Sequence, residues 1–105
     1  MASKSIRIRA NVKGDVTEVK ALMCHPMETG LRKDKKTGEK IPAHFIKEVV
    51  CDHKGATVMV AQWGVAISKN PYLSFKFSGA AAGDKVKVSW VDNTGDSDSS
   101  ETTVR

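Results

Sequence analysis

Only two cysteines occur among the 105 residues, too few for a disulfide scaffold. With no Cys-x-x-Cys pair, the four-ligand knuckles of a zinc ribbon are excluded as well. No apolar run approaches the ~18 residues of a membrane-spanning helix. The opening Met1-Ala2-Ser3-Lys4-Ser5-Ile6 lacks the apolar stretch of a secretory signal, so no signal peptide is expected. Taken alone, that points to the cytoplasm or to export by an indirect route. A period of 3.6 residues nowhere lasts three turns, which argues against amphipathic helices. Neither a glycine-rich phosphate cradle nor a suggestively spaced carboxylate pair is present, and no cofactor is expected.

Hydrophobic residues make up 40% of the chain and charged residues 28%, values that exclude wholesale disorder. One domain over residues 1–105 is expected, because a chain of this size buries roughly 65% of its unfolded surface without staples. Seventeen Lys and Arg against twelve Asp and Glu leave a formal charge of +5. The densest basic stretch, Arg32-Lys33-Asp34-Lys35-Lys36-Thr37-Gly38-Glu39-Lys40, is diluted by acids and carries turn residues. It reads as a solvated loop, and nucleic acid is not a favoured partner.

The hydrophobic period is two almost throughout. Ile6, Ile8, Ala10 and Val12 alternate with Arg7, Arg9 and Asn11, and Gly14-Asp15 then reverses the chain. A second strand runs from Val16 to Cys24, with a slip in phase between Val16 and Val19 that suggests a bulge. His25-Pro26 ends it, since proline cannot donate to a ladder. After a long polar loop to Ile41-Pro42, a third strand covers His44 to His53, and a fourth Thr57 to Trp63. Gly64 to Asn70 is irregular. A fifth strand after Pro71 places Leu73, Phe75 and Phe77 inward, and a sixth does the same with Val86, Val88 and Trp90. The turn Asn93-Thr94-Gly95-Asp96 and a Ser/Asp-rich stretch, Asp96 to Ser100, precede a weak seventh strand ending near Val104. Seven short strands joined by hairpins and one long crossing loop predict an all-β, immunoglobulin-like two-sheet sandwich.

Few side chains suggest chemistry. Cys24 and Cys51 fall near opposite ends of such a sandwich, farther apart than the ~7 Å a disulfide spans, so two free thiols are expected. Cys24, His25 and His44 share one pole and form the alternative reading, a small metal-binding or redox module. Cys51 and His53 share one face of the third strand. Three histidines cannot assemble the four-His, one-Cys iron centre of superoxide-reductase-like sandwiches, and the blue-copper spacing is missing. The plainer reading of each histidine is a hydrogen-bonded residue at a strand end. No metal ligand and no catalytic residue is assigned.

Several ordered segments together resemble the SoxZ family of the sulfur-oxidising (Sox) thiosulfate-oxidation system. They are Ile6-Arg7-Ile8-Arg9-Ala10, His25-Pro26-Met27-Glu28-Thr29-Gly30, Ile41-Pro42-Ala43-His44-Phe45-Ile46, Ala61-Gln62-Trp63-Gly64, Ala66-Ile67-Ser68-Lys69-Asn70-Pro71, Gly83-Asp84-Lys85-Val86 and Trp90-Val91-Asp92-Asn93, with Gly95-Asp96 following. The resemblance implies a noncatalytic subunit that forms a heterodimer with SoxY, whose tail cysteine carries sulfur intermediates from one enzyme to the next. Transient contact with those other Sox enzymes is implied too, and a homodimer stays open when SoxY is absent. Residence in the periplasm is implied through co-export with a signal-bearing SoxY. The final Glu101-Thr102-Thr103-Val104-Arg105 holds no cysteine arm, and neither Cys24 nor Cys51 belongs to the family's pattern. The chemistry of the irregular segment names the expected partner contact. Val65, Ala66 and Ile67 are apolar where loops normally face water, and Glu28 and Lys69 offer a polar rim.

Overall fold

The computed structural model describes residues 5–105. Alternation produces seven strands: β1 (Ile6–Lys13), β2 (Val16–Met23), β3 (Ile46–His53), β4 (Ala56–Gln62), β5 (Tyr72–Ser78), β6 (Lys85–Asp92) and β7 (Ser97–Thr103). They form two antiparallel sheets, one ordered β1-β2-β5 and the other β4-β3-β6-β7, the expected immunoglobulin-like sandwich. Hairpin turns at Gly14, Gly55 and Gly95 take positive φ, which glycine adopts without steric cost.

Between the sheets, Val19, Met23, Ile46, Val49, Cys51, Val86, Val88 and Trp90 are buried. Each fully buried side chain of this kind contributes roughly 1.5–3 kcal/mol. Arg7, Arg9, Lys85 and Lys87 face water, as their alternation requires. Phe75 and Phe77, expected in the core, are only half-buried, and so are Leu73, Val58 and Met59. The reason lies in the topology. On one side of the sandwich β1 runs beside β7, and the two backbone bonds between Val12, Ala10 and Arg105 tie that side shut. On the other side β4 and β5 are the outermost strands of their sheets, and no strand lies beside β5 beyond β2.

Two local expectations are corrected. The phase slip in β2 is not a bulge: its pairing with β1 is regular from Val16 to Met23. Thr17 takes the inward position at 0% exposure, and Val16 turns outward. The register shifts fall instead in β3, at Ile46/Glu48 against β6 and at Cys51/Asp52 against β4. Ser97 to Ser100 is not a turn but the first half of β7, because pairing to β6 overrides the weak strand propensity of Ser and Asp. Residues 31–40 form an exposed arm with a bridge between Lys33 and Lys40. Asp34 Oδ1 caps its turn through the Lys36 N–H at 2.7 Å.

Candidate functional site

Strand β2 ends at Met23, and Pro26 cannot extend the ladder. The chain therefore turns at His25, whose ring swings inward to 4% exposure. Its Nε2 lies 3.1 Å from Oδ2 of Asp92, the last residue of β6, and Nε2 of His44 lies 2.8 Å from the same oxygen. The two imidazoles meet edge-to-face at 4.5 Å, and His25 also packs edge-on against Trp90 at 5.1 Å. The other carboxylate oxygen of Asp92 accepts the Thr94 N–H at 3.0 Å, the Thr94 hydroxyl at 2.6 Å and the Asp96 N–H at 3.0 Å. An aspartate at a strand end commonly folds onto its own turn in this way. Burial pushes the Asp92 carboxyl up, but the bonds from Thr94, His25, His44 and Asp96 outweigh it. The group stays ionised, well below the ordinary carboxylate range.

The tautomer of His25 follows from its second nitrogen. Met27 N–H donates to Nδ1 at 3.1 Å, so Nδ1 carries a lone pair and Nε2 the hydrogen given to Asp92. Among the described residues, His25, His44 and Asp92 bring three possible ligand atoms within 4.8 Å of one another. A metal-bound imidazole donates through its other nitrogen, whereas His25 accepts there. In this arrangement the cluster acts as a hydrogen-bonded latch.

The latch gathers distant segments. Asn70 exchanges two bonds with the backbone of His25, at 3.1 and 3.0 Å. Asn93 binds the N–H of Phe45 at 2.8 Å, its carbonyl at 3.0 Å and the carbonyl of Ala43 at 2.8 Å. Glu28 and His44 form an isolated bridge. Met27 and Asn70 both hold positive φ, 49° and 52°, a conformation that Asn tolerates but that a residue such as Met holds only where the surroundings enforce it.

The anticipated site residues divide. His25 and His44 do meet, but their common partner is Asp92 and not Cys24, which is exposed at the end of β2. Both cysteines are unbridged. Burial, with Asp52 nearby, pushes the Cys51 thiol up to about 12. His53 makes the corresponding pair at the opposite pole, with Nε2 2.9 Å from Asp84 Oδ2. All three histidines thus bond to carboxylates near strand ends. Glu28 is held by Arg32 at 2.6 and 3.1 Å. The Arg32 bond lowers its carboxyl, and the Lys69 charge adds a smaller pull of the same sign. Val65, Ala66 and Lys69 are exposed, whereas Ile67 packs half-buried against the core. Sequence reasoning missed Asp92, to which it gave no role. An aspartate closing an apolar strand of Val86, Val88 and Trp90, at a position facing inward, was the available signal.

Residues 6–103 match the family described as sulphur oxidation protein SoxZ. The chain belongs to the SoxZ family. It is thereby a component of the sulfur-oxidising system. The segments that meet at the latch, His25 to Glu28, Ala43 to Phe45, Asn70, and Asp92-Asn93, are among those that carried the resemblance. No curated protein matches this SoxZ-family chain in sequence. Among solved structures it is similar to a hypothetical protein from Pyrococcus horikoshii OT3, at 15% identity and a TM-score of 0.68, covering 98% of this chain and 89% of that one. It is also similar to a superoxide reductase (neelaredoxin) from Ignicoccus hospitalis, at 15% identity and a TM-score of 0.61, covering 98% and 82%. A variant of that reductase gives 14% and 0.62. At such identities the likeness is one of fold alone.

Proposed function

We propose that this chain is the noncatalytic subunit of a SoxYZ sulfur-carrier complex. In that role it binds SoxY in a heterodimer and helps present the sulfur intermediates on SoxY's cysteine to the thiosulfate-oxidising enzymes. The pair works in the periplasm, reached by co-export with SoxY. Membership of the SoxZ family carries the reading.

The proposed contact surface is the Gly64 to Asn70 loop with Glu28. Latch bonds through Asn70 hold this loop at the pole, and Val65 is 43% exposed. It adjoins the open side of the sandwich, where β4 and β5 leave Met59, Phe75 and Phe77 half-covered. A partner strand or loop laid there removes an edge that would otherwise invite aggregation. Val65→Asp and Ile67→Asp are expected to weaken SoxY pull-down at least tenfold. Ile67 packs against the core and its variant tests folding as well. Val65 does not, so a folded Val65→Asp chain that captures SoxY normally removes the loop from the interface.

A further inference from the structure

The β1-β2-β5 sheet turns one set of side chains to the core and the other to water. Its outward cross-strand rows are Arg7–Leu22–Tyr72, Arg9–Lys20–Ser74 and Asn11–Glu18–Lys76. With Lys13 the face carries five cations, and Glu18 is its one carboxylate. The outer face of the other sheet mixes Glu48, Asp52 and Glu101 with Lys85 and Lys87, and Lys85 pairs with Glu101 at 3.6 Å. The three-stranded sheet is therefore one of two concentrations of positive charge, the other being the exposed arm of residues 31–40.

Arg9 and Lys20 stand directly opposite one another, a like-charge arrangement that destabilises a sheet and that Glu18, 3.4 Å from Lys20 Nζ, offsets in part. Beside them lies a hollow of about 290 Å³ lined by Arg7, Ile8, Arg9, Lys20, Leu22 and Tyr72. Tyr72 is 59% exposed and Leu22 38%, so an apolar floor sits within a ring of cations. Arg and Tyr around such a floor are the residue types in which binding energy concentrates. Strands of 7–8 residues make a face of about 300 Å² in projection, a small patch for a stable interface. Contacts this small are transient and steered by charge. Single-stranded nucleic acid wants a series of stacking rings, and Tyr72 is the one exposed aromatic among the described residues.

We propose that the outer face of the β1-β2-β5 sheet is a transient docking site for an acidic protein surface that seats an apolar side chain between Leu22 and Tyr72. This goes beyond the SoxY contact and uses different residues. The test titrates the isotope-labelled full chain with an Asp/Glu-rich peptide carrying one central Phe, followed by amide NMR. Saturable shifts are expected at Arg7 to Arg9, Lys20 to Leu22 and Tyr72 to Ser74. Affinity should fall roughly tenfold from low salt to physiological ionic strength and above. Arg9→Glu, which places an opposite charge against Lys20 and so favours folding, is expected to weaken peptide binding about tenfold. Tyr72→Ala should do the same without altering the salt dependence. SoxY pull-down by Arg9→Glu should equal that of the wild type, so the two readings fail separately. Shifts elsewhere, indifference to Arg9→Glu, or loss of SoxY capture by that variant would each overturn the proposal. So would tighter binding of a 20-nucleotide DNA strand at this face.

Discussion

Asp92 has no exposed surface, yet it holds a negative charge, because five donors from four residues converge on its two oxygens. Asp92→Asn removes the charge and sets an N–H₂ group against donors, so a loss of about 2–3 kcal/mol is expected in urea denaturation. The pH dependence follows in sign. A carboxyl whose folded value is depressed stabilises the fold above its ordinary range near pH 4, and that contribution disappears as pH falls toward the folded value. Asp84 behaves likewise, held at about 2 by the Ala81 N–H, His53 and Lys54. The urea midpoint should therefore drop steadily below pH 4, and Asp92→Asn should flatten that fall. The two thiols separate just as sharply. Cys24 is exposed and Cys51 buried, so a native thiol titration should count one group and a denatured one two. How much of this was legible in the sequence differs by residue. His25 and His44 announced a shared pole because each adjoins a strand end. Asp92 did not, since it is 67 residues from one partner and 48 from the other. A lone Asp before Asn-Thr-Gly carries the signature of a turn, which it also makes.

Strand β2 shows how one threonine can mislead a reading of period two. Thr17 occupies a core position, and its hydroxyl has no hydrogen-bond partner among the described residues. An inward polar residue beside an outward valine looks like a slip in phase, when the strand is in fact regular. An unpaired buried hydroxyl is costly, so Thr17→Val should raise stability by about 1 kcal/mol. Trp90 and Phe75 test the uneven core. Trp90→Ala should cost ~3–5 kcal/mol, and Phe75→Ala clearly less, because a half-exposed ring has less apolar surface to lose. The alternation of Leu73, Phe75 and Phe77 correctly assigned their side of β5. What alternation cannot report is the neighbour beyond an outermost strand, which decides how deeply an inward ring is covered.

Across the whole molecule, the pairings fall into two classes of reach. The β1–β2, β3–β4 and β6–β7 hairpins join neighbours in sequence, whereas β2–β5 and β3–β6 span much longer loops. The latch has a similar reach, 67 and 48 residues. Closing long loops is slow, and a sandwich rich in such pairings folds in milliseconds to seconds. Contacts that require both sheets to be in place form after the rate-limiting step, so the His25–Asp92–His44 cluster should be absent from the transition state. In stopped-flow experiments, Asp92→Asn should then leave the folding rate nearly unchanged and accelerate unfolding, by roughly 30-fold for 2 kcal/mol. A variant that folded slowly and unfolded normally would place the cluster in the nucleus instead. On this account a buried carboxylate at one pole governs the lifetime of the native state. Where cleavage outpaces reclosing, resistance to proteases is set by its departure, on a timescale independent of how fast the strands first assemble.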